Sequence, residues 1–129
     1  MRLVVDTHAL IWSLDGSGRL GQAAEAELSN AVNQIYVPTL ALAELQFTYR
    51  RGRHTVGFEA ATAWIDMVDN ATIIPLTFRM VKFIPEQLRI HDGVIVATAL
   101  EIAQVEGEPC PVVTCDRMIV ASGVVPIVW

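Results

Sequence analysis

The sequence predicts a single α/β domain in which a parallel sheet is flanked by helices. Short apolar runs rich in β-branched residues alternate along the chain with longer segments of helical spacing. Parallel neighbouring strands need long crossover connections, usually helices, so this alternation favours a parallel sheet. A length of 129 residues provides one core of ordinary size, and we expect one domain over residues 1–129.

The first half of the chain contains two clear strand–helix units. Leu3-Val4-Val5 predicts a strand, and the spacing of apolar residues over 7–14 predicts a helix directly after it. A glycine-rich turn at 15–18 separates this helix from one predicted at 22–32, whose alanines share a face. Residues 35–38 predict a second strand, and Thr39 is a plausible cap for a helix that runs to Gly52.

The second half repeats the alternation with shorter strands. We expect a helix at 55–68, a strand at 71–76, and a short helix within 77–88 that Pro85 interrupts. Asp92 is expected to open a long apolar helix that reaches about residue 106. Strands are expected at 111–115, which end before Asp116, and at 124–129.

Composition excludes several classes of protein. Hydrophobic residues make up 53% and charged residues 18%, which is the opposite of a disordered chain, and the high apolar content predicts an oligomer. A net charge of -5 argues against a basic nucleic-acid binder held by phosphate neutralisation alone. Cys110 and Cys115 fit neither a zinc site nor a disulfide scaffold, so a reducing cytoplasm is expected. No apolar run is long enough to predict a membrane segment or a secretion signal.

Four acids fall in sequence that should be buried. Asp6 and Asp116 end predicted strands, Glu44 lies inside an apolar helix, and Asp92 precedes the apolar run 93–97. In an open parallel sheet the carboxyl ends of strands border the ligand crevice, so these carboxylates could converge there. Oxygen ligands of this kind suit Mg²⁺ or Mn²⁺ better than zinc.

Each acid also has a purely structural interpretation. Asp6 and Asp92 could cap helices, and Asp116 could hold a turn. Glu44 has no such role available in the middle of a helix, so it argues most strongly for a site. A purely structural role for all four acids together is less expected than such a role for any single one of them.

At these residues the chain resembles the PIN-domain nucleases, and within them the VapC-type toxins of bacterial toxin–antitoxin pairs. The matching segments are Val4-Val5-Asp6-Thr7-His8-Ala9-Leu10-Ile11-Trp12, Ala43-Glu44-Leu45, Asp92-Gly93-Val94-Ile95-Val96-Ala97-Thr98-Ala99 and Val113-Thr114-Cys115-Asp116-Arg117. The last six residues look like the terminal strand of the family. The likeness spans essentially the whole chain.

The resemblance implies a PIN-like fold and a Mg²⁺- or Mn²⁺-dependent endoribonuclease. Asp6, Glu44, Asp92 and Asp116 match the four acidic positions of the family, as catalytic residues and metal ligands. Thr7 and Thr114 match supporting hydroxyl positions. The implied partners are an RNA substrate and a cognate antitoxin protein, and a homodimer is expected.

One segment departs from the pattern that the resemblance implies. Many close relatives carry His-Arg-Asp-Pro-Phe-Asp-Arg before the apolar helix, where this chain has Gln-Leu-Arg-Ile-His-Asp-Gly at 87–93. An extra carboxylate and the arginine after Asp92 are absent. This difference supports an alternative, a catalytically degenerate PIN domain that binds a protein partner.

The remaining features give weaker predictions. Arg50, Arg51, Arg53 and the neighbouring His54 form a basic cluster that could contact RNA or an acidic antitoxin segment, or could simply favour a helix C-terminus. A haloacid-dehalogenase-type phosphotransferase needs a second aspartate where this chain has His8. A receiver domain needs an acid after the third strand, and residues 73–77 contain none.

Overall fold

Five parallel strands form one sheet in the computed structural model, which describes residues 1–129. The strands are β1 (Arg2–Val5), β2 (Gln34–Pro38), β3 (Ala71–Ile74), β4 (Val112–Val113) and β5 (Ile127–Val128). Their order across the sheet is β3-β2-β1-β4-β5, and every neighbouring pair is parallel. The predicted α/β class with a parallel sheet flanked by helices is confirmed.

Seven helices connect the strands. They are α1 (Thr7–Asp15), α2 (Gln22–Ser29), α3 (Thr39–Arg50), α4 (Phe58–Met67), α5 (Phe78–Val81), α6 (Ile90–Glu106) and α7 (Arg117–Ser122). The longest, α6, is buried continuously from Gly93 to Ala99, because it packs between the sheet and neighbouring helices. None of the helices combines the length and the hydropathy that crossing a membrane requires.

Alternation along β1 divides the core between the two faces of the sheet. Leu3 and Val5 belong to a cluster with residues of α1, α2, α3 and α4, whereas Val4 belongs to a cluster with residues of α6 and α7. Successive side chains of a strand point to opposite faces, and both faces of this sheet are covered by helices. A continuous Leu-Val-Val run is therefore what a central strand of this sheet requires.

Several helix boundaries differ from the predicted ones for local reasons. Helix α2 stops at Ser29, because the Asn30 side chain accepts a hydrogen bond from the amide of Val32 at 3.1 Å and turns the chain. Helix α4 begins at Phe58, three residues later than predicted. The Phe58 amide donates to Gln46 Oε1 on α3 at 3.0 Å, so residues 51–57 form a connecting loop.

The starts of α3 and α6 also correct the sequence prediction. Pro38 occupies the cap position of α3, and the Thr39 hydroxyl instead donates to the carbonyl of Ile74 on β3 at 3.3 Å. Helix α6 begins at Ile90, so Asp92 lies within the first turn and does not open the helix. Helix α7 was not predicted at all, and β4 and β5 are shorter than expected.

The strand order places a crevice at the centre of the sheet. From β1 the chain continues outwards to β2 and β3, whereas β4 and β5 lie on the opposite side of β1. Ligands of open α/β sheets bind at the carboxyl ends of the strands on either side of such a reversal. The β1–β4 pair, held in register by Val4 with Val112 and Val5 with Val113, is that position here.

Candidate metal centre

The four acids singled out from the sequence line one small cleft at the carboxyl ends of β1 and β4. Asp6 follows β1, Glu44 lies in the second turn of α3, Asp92 in the first turn of α6, and Asp116 follows β4. The cleft has a volume of about 70 Å³, and Thr7, His8, Ile95 and Ile119 complete its lining. Four elements far apart in the chain thus contribute one carboxylate each.

Asp6 is buried and fixed in place by both of its carboxylate oxygens. Oδ1 accepts hydrogen bonds from the amides of His8, at 2.8 Å, and Ala9, at 3.2 Å, so Asp6 is also the N-cap of α1. Oδ2 accepts a hydrogen bond from the hydroxyl of Thr114. Burial raises the pKa of Asp6, against the opposing effect of these hydrogen bonds.

Thr114 connects Asp6 to Asp116 across the two central strands. It has no exposed surface, and its Oγ1 accepts a hydrogen bond from the Asp116 amide at 3.0 Å while donating to Asp6. Asp116 Oδ1 caps α7 by accepting from the amides of Met118 and Ile119. The Asp116 Oδ2 atom has no hydrogen-bond partner within the protein, so it is available to a ligand in the cleft.

Glu44 and Asp92 have more freedom than Asp6. Both are partly exposed, and no hydrogen bond to another residue holds either carboxylate. The pKa of Glu44 is raised mainly by burial, and the charges of Asp92 and Asp6 add to the rise. The pKa of Asp92 is likewise raised mainly by burial, with further contributions from the charges of Asp116 and Asp6. The cleft therefore concentrates negative charge.

Nearby basic groups offset this charge only in part, because the pKa values of Glu44 and Asp92 stay raised despite the opposing effects of His91 and Arg89. No lysine or arginine lies within 4.0 Å of any of the four carboxylates, and the single ion-pair contact joins His91 Nδ1 to Glu44 Oε1 at 3.7 Å. An oxygen-rich donor set with a deficit of positive charge suits a hard divalent cation. No three of the His, Cys, Asp and Glu side chains already enclose an ion position, so binding requires side-chain rotation. No hydrogen bond holds Glu44 or Asp92 in its present orientation, so the donor set fits a divalent ion once these two side chains turn towards it.

The remaining predicted residues are placed in different surroundings. Thr7 is buried at the first position of α1 and lines the cleft. The basic cluster is divided, because the Arg51 guanidinium lies 4.4 Å from the centre of the Phe47 ring, whereas Arg53 lines a larger cavity beside the cleft. Arg50 is exposed at the last position of α3.

The position of His8, where three neighbouring spaces meet, was not predicted from the sequence. His8 lines the acidic cleft and two adjoining cavities, which it shares with Trp12. A spacing of four residues on a helix places His8 and Trp12 on one face, and this signal was available in the sequence. Arg19, which lines one of these cavities, follows a turn and carried no such signal.

Comparison with known proteins identifies the fold independently of the site. Over 98% of its length the chain resembles a chain in the crystal structure of VapBC2 from Rickettsia felis bound to a DNA fragment from their promoter, with 97% of that chain covered, 16% identity and a TM-score of 0.64. VapC20 from Mycobacterium tuberculosis, a toxin that cleaves the Sarcin-Ricin loop, matches over 98% of this chain and 99% of its own, with 19% identity and a TM-score of 0.59. No curated protein matches the chain at the level of sequence.

A protein-family model gives a match that covers most of the sequence. The PIN domain model matches residues 3–122, a span that runs from β1 to the end of α7 and includes all four acids of the cleft. The chain therefore belongs to the PIN-domain family.

Proposed function

We propose that this protein is a metal-dependent endoribonuclease that hydrolyses RNA phosphodiester bonds and acts as the toxin of a toxin–antitoxin pair. The observation that carries the proposal is the convergence of Asp6, Glu44, Asp92 and Asp116 on one cleft that has no lysine or arginine ion pair. Membership of the PIN-domain family supports nuclease chemistry. The likeness to VapC20, described as a Sarcin-Ricin loop cleaving toxin, supports RNA as the substrate.

The four carboxylates would hold Mg²⁺ or Mn²⁺, and the bound ion would supply an activated water and positive charge beside the phosphate. The protein contributes the positions of the donors. Asp6 is fixed by two backbone amides and the Thr114 hydroxyl, and Asp116 by two amides of α7. Such preorganised groups need little rearrangement during the reaction. Glu44 and Asp92 would adjust to the substrate.

Partners follow from the same comparisons. The neighbour from Rickettsia felis is described as VapBC2 bound to DNA from the promoter, which supports an antitoxin partner for this chain. We also propose a homodimer, because large apolar side chains remain exposed on α5 and in the segment before it. Phe78 is 84% exposed, Val81 56% and Leu76 53%.

Metal-dependent RNA cleavage by substituted proteins tests the proposal. With Mn²⁺, Asp6→Asn and Asp92→Asn should each lower the cleavage rate about 100-fold or more, corresponding to roughly 3 kcal/mol of lost transition-state stabilisation. Asp66→Asn is the matched control, since Asp66 is exposed on α4 and does not line the cleft. Cleavage that survives both cleft substitutions, or that ignores chelation of the metal, would contradict the proposal.

The competing function is a catalytically degenerate PIN domain that binds a protein partner. One observation favours it, because Gly93 occupies the position at which many resembled relatives carry arginine, and Gly93 is buried against Ile84. A folded protein that cleaves no RNA with either Mg²⁺ or Mn²⁺ would support this alternative. Cleavage abolished by Asp6→Asn but not by Asp66→Asn would exclude it.

A further inference from the structure

A cavity of about 390 Å³ opens beside the acidic cleft, between α1 and α3. His8 lines both spaces, so the cavity adjoins the cleft at this residue. On α3, Thr48 lies one turn beyond Glu44 and lines the cavity where Glu44 lines the cleft. The two helices thus extend the cleft by one helical turn, about 5.4 Å, away from the carboxylates.

Aromatic rings form one side of this cavity. The ring centres of His8 and Trp12 are 5.5 Å apart with an interplanar angle of 45°, and Trp12 is braced by Trp129 in an edge contact at 5.7 Å. The Arg19 guanidinium lies 5.9 Å from the centre of the Trp12 ring. Rings held in this way can stack against a planar ligand at little entropic cost.

The opposite side is built by a tight turn after α3. Gly52 has a φ of +71°, which a residue with a side chain rarely adopts, and the Arg53 amide then donates to the Thr48 carbonyl at 3.2 Å. The turn brings Arg53 into the cavity, although its neighbour Arg51 lies over Phe47 outside it.

His54 anchors this turn through a chain of hydrogen bonds. The Val56 amide donates to His54 Nδ1 at 3.3 Å, so the neutral ring carries its proton on Nε2, which lies 2.8 Å from Thr48 Oγ1. The Thr48 hydroxyl in turn donates to the carbonyl of Glu44 at 2.9 Å. The arginine side of the cavity is therefore tied to the same helix that presents Glu44.

Arg19 and Arg53 supply positive charge that no carboxylate of the protein neutralises, although Arg19 lies over the Trp12 ring. Neither guanidinium forms an ion pair. Asp15 is the one acid that lines the cavity, and its Oδ1 accepts from the Ser17 amide at 2.9 Å. Two arginines without a carboxylate partner, beside clustered aromatic rings, match the chemistry of a nucleotide, which has an anionic phosphate and a planar base.

We propose that this cavity binds one nucleotide of single-stranded RNA adjacent to the phosphate that occupies the acidic cleft. The base stacks on Trp12 and His8, and its phosphate contacts Arg19 and Arg53. The proposal rests on the proposed ribonuclease function and adds the substrate position that this function needs. An acidic peptide would use the two arginines but not the aromatic faces, so the combination favours RNA.

Binding of a fluorescein-labelled RNA decamer of mixed sequence tests the proposal by anisotropy, in EDTA so that no cleavage occurs. Arg19→Ala and Arg53→Ala should each weaken binding roughly 3- to 10-fold and lower the slope of log affinity against log salt by about 0.7. Arg79→Ala is the matched control, because this exposed arginine lines a separate cavity on α5 and α6. It should change the affinity less than 2-fold.

Tryptophan fluorescence gives a second readout that reports stacking. RNA should quench the emission of the wild-type protein, and Trp12→Phe should remove most of this quenching. Trp64→Phe should leave it in place, because Trp64 lies on α4 and packs against the core. Quenching that is unchanged in Trp12→Phe would contradict stacking at this position.

The outcomes separate this inference from the function on which it rests. If Asp6→Asn abolishes cleavage but both arginine variants bind RNA like the wild type, the nucleotide position is wrong and the ribonuclease function stands. If the wild-type protein neither binds nor cleaves RNA, both proposals fall. If a decaglutamate peptide, and not RNA, loses affinity in the arginine variants, the cavity binds an acidic peptide and the inference is overturned.

Discussion

Thr114→Val removes one hydroxyl from a position with no exposed surface while preserving the shape of the side chain. Two hydrogen bonds are lost, one donated to Asp6 Oδ2 and one accepted from the Asp116 amide. A hydrogen bond to a charged group contributes about 1.5–3 kcal/mol, and the partly buried Asp116 amide, left without its acceptor, adds to the loss. We therefore expect the free energy of unfolding to fall by about 2–4 kcal/mol, which lowers the melting temperature by roughly 10 °C.

Thr98→Val provides the matched control in the same protein. Thr98 is also buried, but its hydroxyl donates to the Val94 carbonyl within α6 at 2.8 Å, where the backbone already supplies a donor. Loss of the Thr98 hydroxyl should lower the free energy of unfolding by about 1 kcal/mol or less. Thr114→Ser should retain most of the stability that Thr114→Val loses. Urea unfolding in EDTA at pH 7 measures all three proteins.

The cost of Thr114→Val should also depend on pH. Burial raises the pKa of Asp6, and the Thr114 hydrogen bond opposes this rise by favouring the ionised carboxylate. Without the hydroxyl, ionised Asp6 is less stable in the folded protein, so the destabilisation should be larger at pH 7 than near pH 4. Equal losses at both pH values, or a loss no greater than that of Thr98→Val, would refute the reasoning.

Two further predictions concern the charge of the cleft and the packing of α6. The pKa values of Asp6, Glu44 and Asp92 are raised in the folded protein, so their contribution to stability is present at low pH and is lost as pH rises through the folded pKa values. In EDTA the melting temperature should accordingly fall as pH rises from the ordinary carboxyl range towards 7.5. Mn²⁺ at 100 times its dissociation constant should restore about 2.7 kcal/mol at pH 7.5, and calorimetry that shows no effect of Mn²⁺ would argue against a metal centre. Gly93→Ala should destabilise the protein by about 1 kcal/mol despite the better helix propensity of alanine, because an added Cβ would lie 2.8 Å from Ile84 Cγ2. Chemical denaturation of Gly93→Ala, Ile84→Ala and the double variant should show that the two substitutions are not additive, whereas strict additivity would mean that Gly93 tolerates a side chain.

The central strands could be predicted from sequence because burial on both faces leaves a continuous apolar run. Leu3-Val4-Val5 is such a run, and its end at Asp6 located one side of the cleft. Peripheral elements gave no comparable signal. Strand β5 pairs only two residues, and α7 has six residues whose start is marked by Asp116 alone. A single aspartate before a short apolar segment is typical of both turns and helix caps.

Which side chains meet could be predicted only in part. Asp6 and Asp116 were expected at one edge of the sheet because parallel strands end together, and the structure brings them into one cleft with Glu44 and Asp92. The Thr114–Asp6 hydrogen bond spans 108 residues of sequence, and no local pattern encodes such a contact. Whether the four acids are catalytic stays a prediction.

The directions of the side chains in the basic cluster could not be predicted from sequence either. Arg51 and Arg53 are close in sequence and looked equivalent, yet one left-handed residue between them sends their side chains to different surfaces. Backbone conformation at a single glycine therefore decided which arginine lies next to the acidic cleft.

Pairing of β1 with β4 has a consequence for biosynthesis. The two strands come from opposite ends of the described chain, so the middle of the sheet stays open until residues 112–113 have left the ribosome and docked beside residues 4–5. A nascent chain that stops short of Thr114 lacks the hydroxyl that holds Asp6 and the entire Asp116 side of the cleft. Contacts so distant in sequence form late and slowly. A partly translated chain of this kind therefore cannot assemble the acidic cleft, which forms only after β4 has docked beside β1.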